Sequence, residues 1–144
     1  MNVVDSSGWL EYFADGPAAG FFAAAIEAPA ALIVPTVSLY EVFNRVLQQR
    51  GENAALTAVA VMQQGDVVDF TAPLALSAAN LSVERKLPMA DSIMYVTTRA
   101  FGATLWTQDA HFEHLPHVRF RPTAPRQHAR KVSEPPRGVR RTDA

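Results

Sequence analysis

Apolar residues follow two rhythms along this chain. Short runs around Asn2-Val3-Val4, Leu32-Ile33-Val34, Val67-Val68-Asp69-Phe70 and Ala103-Thr104-Leu105-Trp106 have the length of buried strands. Between them, apolar residues recur three or four positions apart, as on one face of a helix. Trp9, Leu10 and Phe13 share such a face, and Asp15-Gly16-Pro17 breaks that helix. Ser6-Ser7 stands where a cap belongs. Ala18 to Ala28 reads as a second helix anchored by Phe21, Phe22 and Ile26. Pro35 stops the second strand, and Thr36 or Ser38 starts a helix running through Gln49, with Gly51 as its end. Leu39, Val42, Phe43, Val46 and Leu47 make its apolar stripe; Ser38, Glu41, Asn44, Arg45 and Gln48 fall on the other face. Ala54 to Gln64 is a further helix, and Pro73 at its first position opens another through about Lys86. Pro88 in the first turn, Asp91 soon after and Gly102 at the far end bound a helix through Phe101. Val118-Arg119-Phe120 is an edge strand. Four or five strands separated by helices predict a central, mainly parallel α/β sheet with helices on both faces.

Composition adds a division. The chain of 144 residues has a formal charge of −1, yet 12 of its 14 acids and only six of its 13 basic residues lie in 1–120. From Pro122 onward the sequence is Pro, Arg, Ser, Gly and Thr with little apolar content. Residues 1–121 are therefore expected to form the folded domain, and 122–144 a basic tail without a core, expected to be disordered. No cysteine is present, which excludes disulfides and thiolate zinc sites. No apolar run reaches the roughly 18 residues of a membrane span, and no signal-peptide pattern opens the chain, so the expectation is a soluble, cytoplasmic protein.

Four acids occupy comparable places. Asp5 ends the first strand, Glu41 lies about one turn into the helix after the second, Asp91 opens a helix, and Asp109 follows the late strand. In a parallel sheet the strand C-termini and the following helix starts share one edge, so these carboxylates are expected to converge there. Unpaired, such a cluster raises its own pKa values. A hard divalent cation, Mg²⁺ or Mn²⁺, relieves the repulsion and suits oxygen ligands. Each acid taken singly reads equally well as a helix cap; the joint pattern favours phosphodiester chemistry.

The stretches VVDSSGWLEYF around Asp5, VSLYEVFNRVL around Glu41, LPMADSIMYVTTR around Asp91 and TQDAHFEHLPHVRF around Asp109 resemble PIN-domain ribonucleases, most closely the VapC toxins of toxin–antitoxin pairs. The resemblance runs from Met1 to about Phe120. It implies a PIN-like fold, an acidic site at Asp5, Glu41, Asp91 and Asp109, and a small hydroxyl at Ser6 and Thr107. His111 stands where some relatives carry a further acid. The resemblance also implies Mg²⁺-dependent RNA cleavage, control by a cognate antitoxin and homodimerisation. In that reading Asp5, Asp91 and Asp109 hold the ion directly or through water, and Glu41 orients a ligand water or binds at the rim. Water then attacks the phosphodiester in line, leaving a 5′-phosphate and a 3′-hydroxyl.

Other readings compete at single residues. His111, His114 and His117 are spaced by three, but a zinc site at that spacing needs a continuous helix, which Pro116 opposes. Ser38 and Asn44 lie one turn from Glu41, as auxiliary residues or as a solvated face. Arg45 suits a pair with Glu41, a contact with RNA, or a plain surface charge. Trp9, Phe13, Phe21 and Phe22 read as core or subunit contacts before they read as base-stacking platforms. A catalytically silent PIN-fold module that binds RNA or protein is the first rival function. A phosphotransfer receiver is the second; it needs a lysine at a late strand end, and none occurs between Lys86 and Lys131.

Overall fold

The computed structural model describes residues 1–123. Five strands form one sheet: β1 (Asn2–Val4), β2 (Leu32–Pro35), β3 (Asp66–Val68), β4 (Thr104–Thr107) and β5 (Val118–Phe120). All pairings are parallel, and the spatial order is β3-β2-β1-β4-β5. Six helices connect them: α1 (Ser6–Phe13), α2 (Ala19–Ile26), α3 (Thr36–Arg50), α4 (Glu52–Met62), α5 (Ala72–Arg85) and α6 (Met89–Ala100). The expected α/β architecture is the observed one. The tail from residue 124 lies outside the described residues.

Strand alternation splits the core in two. Val4, Leu32, Val34 and Trp106 face one side and pack with Trp9, Phe22, Ile26, Val42 and Met62. Val3, Ile33 and Leu105 face the other and pack with Met94, Tyr95 and Phe112. Both faces of each central strand are covered, which is why these strands read as unbroken apolar runs. Trp9 and Phe22 are core residues; Phe13 and Phe21 pack against that core half-buried.

Several local expectations shift. Asp5, not Ser6 or Ser7, caps α1. Pro35 is the last residue of β2 and sits just before α3, so one proline both ends the strand and admits the helix. Pro73 is the second residue of α5, because Thr71 provides the cap. Ser38 is fully buried rather than solvated, with its hydroxyl against Met94 Sδ at 3.6 Å. Leu47, placed on the apolar stripe, is 41% exposed. Lys86 closes α5 in the left-handed region, at φ 56°, a position that usually falls to glycine.

The chain runs outward from β1 through β2 to β3, then crosses back through α5 and α6 to β4 on the other side of β1. The reversal between β1 and β4 leaves a crevice at their C-terminal ends, where open α/β sheets bind ligands.

Candidate metal centre

Register sets the first contact. Val4 pairs with Trp106, so Asp5 and Thr107, the next residues along, leave the sheet side by side. Asp5 N donates to the Trp106 carbonyl at 3.0 Å. Its carboxylate turns inward and is 5% exposed. Oδ1 accepts from Ser6 N at 2.9 Å, and Oδ2 accepts from Ser7 Oγ at 3.0 Å and Thr107 Oγ1 at 2.9 Å. A carboxylate has about four lone-pair sites, so these three donors leave one free.

Thr107 ties two acids together. Its buried hydroxyl donates to Asp5 and accepts from Asp109 N at 2.9 Å. Asp109 then caps a short 3-10 turn, Ala110–Phe112, through His111 N at 2.9 Å. Phe112, fully buried, pins that turn to the core. The turn brings the exposed His111 ring back over the cleft, with Nδ1 2.7 Å from Asp91 Oδ2 and 3.4 Å from Asp109 Oδ1. Asp91 lies in the first turn of α6, where the helix dipole favours its charge. Glu41 enters from α3, held by a short hydrogen bond from Ser6 Oγ to its Oε1.

Electrostatics records the crowding. Burial raises the Asp5 carboxyl from its ordinary 3.8 to about 6. The Thr107 and Ser7 hydroxyls hold it down in part, and the charges of Asp91 and Asp109 push it further up. Asp91 is also raised, first by burial; the hydrogen bond from His111 opposes the shift. His111 is raised, chiefly by its hydrogen bond to Asp91 and then by the charge of Asp109.

Asp91, Asp109 and His111 each offer one ligand atom, and these atoms lie within 4.8 Å of one another. Two half-buried carboxylates and an imidazole are a donor set capable of coordinating a divalent cation. The penalty on ionising Asp5 and Asp91 is what such a charge relieves. The fold thus brings Asp5, Asp91 and Asp109 to one place, adds His111, and links Glu41 through Ser6. Asn44 is half-buried on α3 and makes no side-chain hydrogen bond among the described residues. His114 and His117 are exposed and stand outside the cluster. Arg45 forms no ion pair among the described residues, with Glu41 or otherwise. Ser7, expected from the sequence only as a cap, instead returns its hydroxyl to Asp5, as its place two residues after a strand-end aspartate allows.

Known structures share this architecture. A toxin–antitoxin complex from Klebsiella pneumoniae superposes with a TM-score of 0.70 at 19% identity, covering 83% of this chain and 96% of that one. VapC20 of Mycobacterium tuberculosis, described as a sarcin–ricin-loop-cleaving toxin, gives 0.71 at 22%, covering 85% and 100%. VapBC2 of Rickettsia felis, bound to a promoter DNA fragment, gives 0.65 at 13%, covering 84% and 97%. No curated protein sequence matches the chain. The family model for the PIN domain matches residues 3–118, from the first strand through the start of the last. By that match and by its fold, this chain belongs to the PIN-domain family.

Proposed function

We propose that this chain is a Mg²⁺-dependent endoribonuclease and the toxin of a toxin–antitoxin pair, with Mn²⁺ as an alternative ion. The observation that carries the reading is the convergence of Asp91, Asp109 and His111 beside the buried Asp5 at the sheet's switch point. The toxin–antitoxin description of a similar structure supports an antitoxin protein as partner; a second copy of this chain is the companion that the resemblance to VapC toxins implies. Among the described residues, no helix is long and apolar enough to cross a membrane.

Asp5, Asp91 and Asp109 would hold the ion, with His111 at its edge. When bound, it supplies a water activated for attack and positive charge for the phosphoryl oxygens. The chain's own groups do the positioning. Thr107 fixes Asp5 relative to Asp109 through one hydroxyl. Ser6 fixes the Glu41 carboxylate, which would orient a ligand water or meet the ion at its rim. His111 holds its Nδ1 hydrogen bond with Asp91 until a ligand takes that oxygen.

Purified protein incubated with single-stranded RNA tests this. Cleavage with Mg²⁺ or Mn²⁺, abolished by EDTA and restored by adding the ion back, is the expected result. Ends carrying a 5′-phosphate are expected from attack by water. Full activity after exhaustive chelation, with no metal by elemental analysis, overturns the mechanism. RNA binding without cleavage under any divalent ion supports the silent binding module instead.

A further inference from the structure

A groove of about 480 Å³ opens between α1 and α3, and two of its lining residues, Ser7 and Gln108, adjoin the acidic cleft. Its near end is built from Ser7, whose hydroxyl bonds Asp5, and Gln108, which lies between Thr107 and Asp109. Its far wall carries Arg45, Gln49 and Arg50 of α3. Gln49 is one turn beyond Arg45, so the two side chains point along the same strip of the helix.

Acids outnumber basic residues two to one in 1–120, and two of the six basic residues there, Arg45 and Arg50, line this groove. Arg99 and Arg119 lie over the rings of Tyr95 and Trp106. Arg45 and Arg50 are exposed, pair with no carboxylate and stack on no ring among the described residues. Glu11, the acid in the groove, is already engaged by Ala18 N at 2.8 Å and Gln108 Nε2 at 3.5 Å. Two free guanidiniums beside an acidic cleft complement an anion that extends out of that cleft.

We infer that this groove is a subsite for the phosphate backbone of single-stranded RNA, with Arg45 and Arg50 as its phosphate contacts and Gln49 and Gln108 as neutral donors. The inference rests on the nuclease reading for its substrate class. A strand whose scissile phosphate occupies the acidic cleft continues along α3, and the arginines fix its direction. They are positioning residues; neither touches the reacting atoms.

The test is R45Q/R50Q against the wild-type full chain, using a fluorescently labelled single-stranded oligoribonucleotide. Binding is followed by anisotropy in EDTA across a salt series, and cleavage separately with Mg²⁺. Both arginines are exposed, so the melting temperature is expected to hold. The double variant is expected to bind roughly tenfold more weakly, with the slope of log K against log salt smaller by about 1.4 for two lost single-strand phosphate contacts. In cleavage, KM rises and kcat holds. Replacement of both by lysine restores the salt slope. Unchanged affinity, slope and KM in a folded R45Q/R50Q overturn the subsite and leave the groove to a protein segment. Wild type that binds with the expected slope but cuts nothing sinks the nuclease reading while the subsite stands. Wild type that cuts, with an unaffected double variant, does the reverse.

Discussion

At the scale of the residue, Asp5 carries two duties that oppose each other. It caps α1 and accepts three hydrogen bonds, which favours its ionised form. It is also buried beside two further acids, which favours its neutral form, and this effect is the larger. The sign on stability follows from a carboxyl raised from 3.8 to about 6. Between those values the folded chain holds a proton that the unfolded chain has released, so metal-free stability falls as pH rises through that window. Above about pH 6 the penalty is complete and, at about 1.4 kcal/mol per unit, amounts to about 3 kcal/mol. Asp5→Asn removes the titration and keeps an oxygen for Ser6 N, but gives up the Oδ2 that accepts from the Ser7 and Thr107 hydroxyls, at a cost of about 2 kcal/mol. The variant is therefore expected to melt higher than wild type at pH 7.5 in EDTA, by the equivalent of about 0.5–2 kcal/mol, with a flatter profile from pH 4 to 7. It is expected to lose RNA cleavage by orders of magnitude and much of its stabilisation by Mg²⁺. Thermal melts across that pH range check the first claim. A lower melting point with activity retained makes Asp5 a cap and nothing more.

At the scale of the element, the cleft depends on how closely α1 lies on α2 and the sheet. Gly8 sits inside α1, where an added Cβ would come within 2.5 Å of a Phe22 ring carbon and 2.9 Å of Val4. Phe22 and Val4 are fully buried and have no room to yield. Ala in place of a helical Gly gains about 1 kcal/mol of propensity. Overpacking a rigid core costs about 1–3 kcal/mol, so the clash is expected to win. Gly8→Ala is predicted to lower the denaturant midpoint. Because Asp5 caps α1, a tilted α1 is also expected to weaken Mg²⁺ binding. Equal or greater stability in urea titration contradicts the tight approach. The same logic applies to Ser38: its small hydroxyl allows α3 to meet Met94 of α6, and so sets the spacing between the helices that carry Glu41 and Asp91.

At the scale of the molecule, the last strand among the described residues ends at Phe120, and the contacts after it close back on β4. Arg121 N donates to the Thr107 carbonyl at 3.0 Å, and Thr123 Oγ1 donates to the Gln108 carbonyl at 3.3 Å. The described residues 1–123 hold a five-stranded sheet and two core clusters. A chain cut after Thr123 is predicted to keep the melting temperature and Mg²⁺ response of the full chain. It also loses six of the 13 basic residues, so its RNA affinity is expected to fall and to depend less on salt if the tail meets phosphate. A truncated chain that fails to melt cooperatively overturns the division at residues 121–122.

The sequence alone determined the order of strands and helices, because burial on both faces imposes unbroken apolar runs on strands and spaced stripes on helices. It determined that acids follow β1 and β4 and open α6, and the parallel rule then brought Asp5, Asp91 and Asp109 to one edge. Other features were decided only by tertiary packing. The inward turn of Ser38 depends on Met94, fifty-six residues away, and no helical period encodes that neighbour. The tight seat of Gly8 depends on where the Phe22 ring lies. The place of His111 depends on a turn capped by Asp109 and pinned by Phe112, which folds the ring onto Asp91 twenty residues upstream. Local pattern reports which face of its own element a residue occupies. What that face meets is fixed by the three-dimensional path of the rest of the chain.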